Sequence, residues 1–324
     1  MSLWQTEVLI KKPPFQLSLG SSFYLIGSCF STHIKIFLEK KLFNVTPSPF
    51  GIEYNPICMA QGLNKILFEK PFALADIIHP DTGFTTWFHH RKINYQDQNE
   101  LLSQLNNQLK ESLQTLNQVD CLMITMGTAF CYYLKDTSFA VNNCHKMPPH
   151  LFTRKACTVE EIVAALAPCL RQLKSANKNI KFIFTLSPVK HLRDDPTENS
   201  YSKALCRCSI EVLMELFKEN SYYFPAFELM TDELRDYRFY DSSLTHPSPD
   251  AIQFIATKFI DNLIDSHGQE FLKEWNPIIK FLNHKIENTP LKSYLDANQA
   301  QKNKILALQK KYPMVFWPSF LKYF

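Results

Sequence analysis

The chain has 324 residues, 45% of them hydrophobic, and a formal net charge of +4. That length buries a large core, and the charge is too mild to argue for a nucleic-acid partner. No stretch approaches the roughly eighteen unbroken apolar residues of a membrane helix.

Nine cysteines, an odd number without a Cys-x-x-Cys pair, read as mostly small core hydrophobes in a reducing compartment. The opening MSLWQTEVLIKKPPF carries its lysines after its apolar patch and no small-residue cleavage site. That order is unlike a secretory signal, so a cytoplasmic location is expected. With only seven glycines in the chain, each answers a backbone need. Gly27, Gly51 and Gly127 sit where apolar runs or a Pro-Phe pair give way to polar residues.

Taken in order, Phe23–Ile26 reads as a buried strand that stops at Gly27, with a helix from about Phe30 through Lys41. Such a turn faces the crevice where open α/β sheets bind ligands. It also places Cys29 at a helix N-terminus, where positive potential favours the thiolate. A Pro-rich loop holding Gly51 leads to a second helix, about Pro56 to Glu69. Residues 71–96 form an irregular insertion with a hairpin around Thr82-Gly83. Leu101, Leu105, Leu109, Leu113 and Leu116 recur at helical spacing and predict a helix over 97–117.

The run CLMITM predicts a strand over 121–126, and AVNNCHKMPPH a loop. Thr158 and Glu161 form a capping box opening helix 158–175, with a kink at Pro168. A third strand ends at Ser187-Pro188, helix 201–219 follows, and YYFPAF is a short fourth run. Ser248 as N-cap and Pro249 at the first helical position open helix 250–265. This alternation predicts a parallel sheet covered on both faces, an α/β unit within residues 1–266. Residues 267–324 read as a helical extension. From 269 onward it holds nine lysines against four acids. Its aromatic end YPMVFWPSFLKYF is expected to wrap onto the domain, with a dimer interface as the alternative.

Cys29 is the first candidate for chemistry, and Ser28 is the competing nucleophile, which needs a base to act. His246, in a loop before the Pro-Ser-Pro helix start, is the best base. Asn143, in the loop with His145, could donate to an oxyanion or close a turn. His89-His90 and Cys144-His145 lack zinc spacing, so no metal is expected. No glycine pair exists to cradle phosphate, and no cofactor is expected.

The motifs GSCFS at 27–31, SPFGIEYNP at 48–56, TMGTAFCY at 125–132, VNNCHKMP at 141–148, TLSPVKH at 185–191 and LRDYRFYDSSLTHPS at 234–248 resemble the GSCFA family. That family belongs to the SGNH/GDSL hydrolase superfamily, and the resemblance spans about residues 15 to 265. It implies a flavodoxin-like three-layer α/β/α sandwich with a five-stranded parallel sheet. It also implies ester hydrolysis by a nucleophile and a His, with an acid three residues before the His. Laid on this chain, the nucleophile falls on Cys29 and the preceding aspartate on Ser28. The second-block glycine, an oxyanion donor, falls on Gly51. The third block falls on Gly127-Thr128-Ala129, without its asparagine, and Asn143 is the substitute. The base falls on His246 and the acid on Ser243, which leaves Asp241 or Asp236 to orient the ring.

The function expected is hydrolysis of a small-molecule or glycan ester. Acyl transfer to a sugar or other acceptor and a catalytically silent binding module are the alternatives.

Overall fold

The computed structural model describes residues 6–68, 70–191, 195–282 and 291–318, the side chains of 291–294 excepted. Strand β1 (Ser22–Gly27) leads into helix α1 (Cys29–Lys40), then β2 (Asn44–Pro47) and α2 (Pro56–Leu67). A hairpin of β3 (Ile77–Ile78) and β4 (Thr85–Thr86) precedes α3 (Gln98–Leu116) and β5 (Cys121–Met126). Strands β6 (Phe130–Leu134), β7 (Ala140–Val141) and β8 (Phe152–Ala156) form a separate antiparallel sheet. The chain continues through α4 (Val159–Ala176), β9 (Lys181–Leu186), α5 (Pro196–Leu216) and β10 (Ser221–Phe224). It closes with the short α6 (Ala226–Glu228), one π-helical turn, α7 (Pro249–Leu263), α8 (Ser266–Leu282) and α9 (Leu291–Lys311).

The main sheet is five-stranded and parallel in the order β10-β9-β5-β1-β2. Side chains alternate between its faces. Phe23 and Leu25 of β1 enter a core with α1, α7, α8 and α9, whereas Tyr24 and Ile26 enter a second core with α2, α3, α4 and α5. The result is a three-layer α/β/α sandwich of flavodoxin-like order. In that order the chain reverses direction across the sheet between β1 and β5, and the crevice beyond their carboxyl ends is where such folds bind ligands.

Strand β2, absent from the sequence expectation, is a short edge strand with exposed ends and no apolar run. The predicted loop AVNNCHKMPPH contributes β7, and helix α5 begins five residues earlier than expected because Asp195 caps it and Pro196 starts it. Thr158 with Glu161 and Ser248 with Pro249 cap their helices in the expected way. From the extension, Phe271, Trp275, Ile305, Leu308 and Tyr312 enter the core of α1 and α7, and the Trp275 indole donates to the Lys40 carbonyl at 2.9 Å. The last six residues of the aromatic run lie outside the described residues. Among the described residues no helix is long and apolar enough to cross a membrane.

Candidate active site

The Gly-Ser-Cys turn that holds the candidate nucleophiles is built on Gly27. Its φ of +143° belongs to glycine, and a Cβ there would stand 2.3 Å from the Thr125 carbonyl oxygen. The close approach lets the Ser28 N–H donate to that same carbonyl at 3.1 Å. Ser28 is the N-cap of α1 and is fully buried, its hydroxyl donating to Ser187 Oγ at 2.9 Å and accepting from the Phe30 N–H at 3.4 Å. Cys29 is the first helical residue and only half-buried. Of the two rival candidates, Ser28 is committed to holding the turn and Cys29 stays partly exposed at the start of α1.

Burial pushes the Cys29 thiol up, against the charge of Lys203 and the backbone N–H groups of Cys29 and Phe30. The expected resting thiolate is therefore corrected: desolvation outweighs the helix N-terminus. A thiol in this position needs a base. Lys203, on α5, is fully buried and donates to the carbonyls of Gly127 and Ser187, each at 2.7 Å. Burial lowers its ammonium to about 8. It ties the ends of β5 and β9 together behind the turn.

His246 lies in a tight loop in which the Asp241 N–H donates to the His246 carbonyl at 2.8 Å and Leu244 takes φ +57°. Ser243 Oγ donates to Asp241 Oδ1 at 2.5 Å and lies 3.2 Å from His246 Nδ1. Asp241 Oδ2 is 3.9 Å from the same nitrogen, and Thr245 Oγ1 is 2.8 Å from it. The hydrogen bond from Ser243 holds the Asp241 carboxyl below its usual range, with the His246 charge contributing. A proton on Nδ1 directed at Ser243 leaves Nε2 as the acceptor, the tautomer a general base requires. Asp236 instead caps its own turn, accepting from the Arg238 N–H at 2.9 Å.

The His246 loop is tied to the strand ends by the Lys190 N–H, which donates to the Thr245 carbonyl at 2.9 Å. His33, one helical turn beyond Cys29, is held below its ordinary value by burial and then by the charge of His246. The hydrogen bonds of the His246 ring go to Ser243 and Thr245 through Nδ1, and among the described residues none joins it to Cys29 Sγ.

The oxyanion donors are placed differently from expectation. The Gly51 N–H donates to the Ser48 carbonyl at 3.2 Å in a turn with φ +80°, so it is engaged in that turn rather than open to a ligand. Asn143 does close a turn, its Oδ1 accepting from the His145 N–H at 2.8 Å. It also lines a cavity of about 610 Å³ together with Tyr54, Asn55, Phe130, Phe152 and His191. His89 is a core imidazole that burial holds down at about 3. Among the described residues no group of three or more His, Cys, Asp or Glu side chains could hold a metal.

Four residues around the turn went unassigned in the sequence. Tyr54 accepts the N–H groups of Gly127 and Thr128 at 2.9 and 3.0 Å through its carbonyl. After burial, it is the charge of Cys29 that raises its phenol. Asn55 caps α2 and donates to the Thr128 carbonyl at 3.3 Å. His191 and Lys203 complete the set. Tyr54, Asn55 and His191 lie in the motifs IEYNP and TLSPVKH. The signal for Lys203 is its place on the apolar stripe of Cys206, Ile210 and Leu213.

A family model described as the GSCFA family matches residues 22–259. No curated protein matches the sequence. Among solved structures, the chain is similar to an acetyl xylan esterase from the rumen bacterium Butyrivibrio proteoclasticus, at 12% identity and a TM-score of 0.42 over 74% of this chain and 63% of that one. It therefore spans less than two thirds of that esterase's length. A carbohydrate esterase of family 3 from Talaromyces cellulolyticus is similar at 9% identity and a TM-score of 0.36, over 79% and 99% of the two chains. An acetylxylan esterase from Geobacillus stearothermophilus is similar at 11% identity and a TM-score of 0.33, over 76% and 96%.

Proposed function

The chain belongs to the GSCFA family, and on that premise we propose that it is an SGNH-type esterase with Cys29 as nucleophile and His246 as base. One observation carries the reading: Cys29 is the first residue of α1, half-exposed at the N-terminus of a helix that starts at the sheet's switch point.

His246 Nε2 takes the thiol proton as Sγ adds to the ester carbonyl. The carbonyl π pair moves onto oxygen, where the Cys29 N–H and the positive end of α1 meet it. Collapse expels the alkoxide, which takes the proton from His246. Water, deprotonated by the same ring, then adds to the thioester carbonyl; collapse breaks the C–S bond, releases the acid, and Sγ takes the proton back from His246. Ser243 holds the ring through Nδ1, and Asp241 holds Ser243.

A second reading, a silent binding module on the same scaffold, draws on Ala129 at the third-block asparagine and Ser243 at the acid position. Intact-mass spectrometry with fragment mapping of the Gly27–Ser31 peptide after treatment with p-nitrophenyl acetate separates the two. An acetyl adduct on Cys29 that decays in water supports the esterase. One that persists until an alcohol or sugar is added points to acyl transfer. An adduct on Ser28 with Cys29→Ala fully active overturns the nucleophile assignment, and no adduct at all favours the binding module.

A further inference from the structure

The mechanism leaves a buried imidazole nitrogen beside the Gly-Ser-Cys turn without a task. His191 lies five residues past the end of β9, anchored by its N–H to Asn199 Oδ1 at 3.1 Å. Its Nε2 is buried and has no hydrogen-bond partner. Native structures rarely keep such an atom unsatisfied, because burying it without a bond is costly.

Its position is defined by a glycine. A Cβ on Gly127 would stand 2.9 Å from the Tyr54 carbonyl, and 3.3 Å from both His191 Nε2 and Ser28 Cβ. The absent side chain is what lets the imidazole nitrogen and the residue before the nucleophile approach the same spot. The Tyr54 ring meets the His191 ring edge-on, with centroids 5.6 Å apart and planes at 90°. Both rings line the 610 Å³ cavity.

The same spot is where the sequence is deficient. Gly127-Thr128-Ala129 lacks the side-chain amide that the superfamily pattern puts third. Ala129 is fully buried, and its N–H is taken by Ser202 Oγ at 2.7 Å. The Ala129, Gly51 and Phe30 N–H groups are all engaged, and the Cys29 N–H is left without a side-chain donor beside it.

We propose that His191 is a catalytic residue, its Nε2–H donating to the acyl oxygen in place of the missing third-block amide. The inference rests on the esterase reading. As Sγ adds to the carbonyl carbon, the π pair moves onto oxygen, the thiol proton goes to His246, and His191 keeps its own proton. The ring suits this role because it stays neutral. Burial, and then the facing charges of Lys203, His246 and Arg154, hold its conjugate acid down to about 3. A neutral imidazole polarises a carbonyl without giving its proton away.

The test uses butyraldehyde, which adds to a thiol as a hemithioacetal and so places an oxygen where the oxyanion would form. Protection of Cys29 from iodoacetamide is read by mass spectrometry of the peptide that carries it in wild type, His191→Phe, which keeps the ring packing, and His191→Gln, which keeps a donor. The expected result is that Phe weakens protection about 10- to 100-fold and Gln restores most of it, with alkylation in the absence of aldehyde within about twofold of wild type. Turnover of p-nitrophenyl acetate by the Phe variant should fall about 10²- to 10³-fold in kcat, as for loss of one oxyanion donor. Equal protection in wild type and the Phe variant overturns the inference alone. Collapse of alkylation without aldehyde in the variant also overturns it, since His191 would then be shaping the thiol. A wild-type Cys29 that iodoacetamide does not reach overturns the nucleophile reading and this inference with it. Should the Phe variant not fold, His191→Asn, too short to reach, takes its place with the same expectations.

Discussion

Lys203→Met probes how the nucleophile turn is held. The substitution removes a fully buried ammonium and both of its hydrogen bonds, to the Gly127 and Ser187 carbonyls. Burial lowers that ammonium from 10.5 to about 8. At 1.36 kcal/mol per pH unit, the difference is roughly 3 kcal/mol between charging Lys203 in the folded and in the unfolded chain. Below about pH 8 both states hold the proton, and Lys203 gives stability no pH slope. Between about 8 and 10.5 the unfolded chain keeps a proton that the folded chain has lost, so stability rises with pH.

Urea unfolding of wild type and variant at about pH 7.5, 8.5 and 9.5 measures this rise. The gap between the two proteins should move in favour of wild type by about 1 kcal/mol per pH unit once pH exceeds 8. Cys29 and Cys206 feel the Lys203 charge, so both proteins are compared on a Cys29→Ala, Cys206→Ala background; the remaining thiols are common to both. Alkylation of Cys29 near neutral pH should also slow in the single variant Lys203→Met, because the Lys203 charge favours the thiolate. A gap that stays constant across the series refutes the buried-charge account.

Two further outcomes follow from the geometry of the turn and the relay. Asp241→Asn should lower kcat/KM of the ester reaction by less than about tenfold, against about 10⁴-fold for the acid of a serine-protease triad. The carboxylate here is 3.9 Å from the ring and both side chains are 41% exposed; a loss beyond about 10³-fold in steady-state kinetics would contradict the hydroxyl-bridged arrangement. Ser28→Ala removes a buried cap and the bond to Ser187, and should cost about 1–2 kcal/mol in urea unfolding while leaving the Cys29 adduct in place. Loss of that adduct from a folded variant would return Ser28 to the chemistry.

The parts of the fold legible in the sequence are those whose residues face one environment along their whole length. β1, β5 and β9 are buried on both faces and so read as unbroken apolar runs. β2 is an edge strand with exposed ends, and β6 and β8 lie in a small sheet with partly open faces, so their burial pattern carries no comparable run. The nucleophile turn was legible for a local reason, because a strand that must bend within 2.3 Å of a neighbouring carbonyl needs a glycine. Its ionisation was not, since the helix N-terminus is a local feature and the burial that outweighs it is not.

His191 and Lys203 show the same divide. Neither has a meaning until residues 127 and 187 are brought beside them, and the contacts that do so span up to 76 positions in the chain. The spacing of three between acid and base is likewise a rule about sequence, whereas the ring needs only an acceptor in reach of Nδ1. By closing Asp241 N–H onto the His246 carbonyl, the loop brings a carboxylate five positions away to the ring and sets a hydroxyl between them. A serine at position 243 therefore lengthens the path to the carboxylate without removing it, which is why a modest loss on Asp241→Asn, and not an inactive wild type, is the expected consequence.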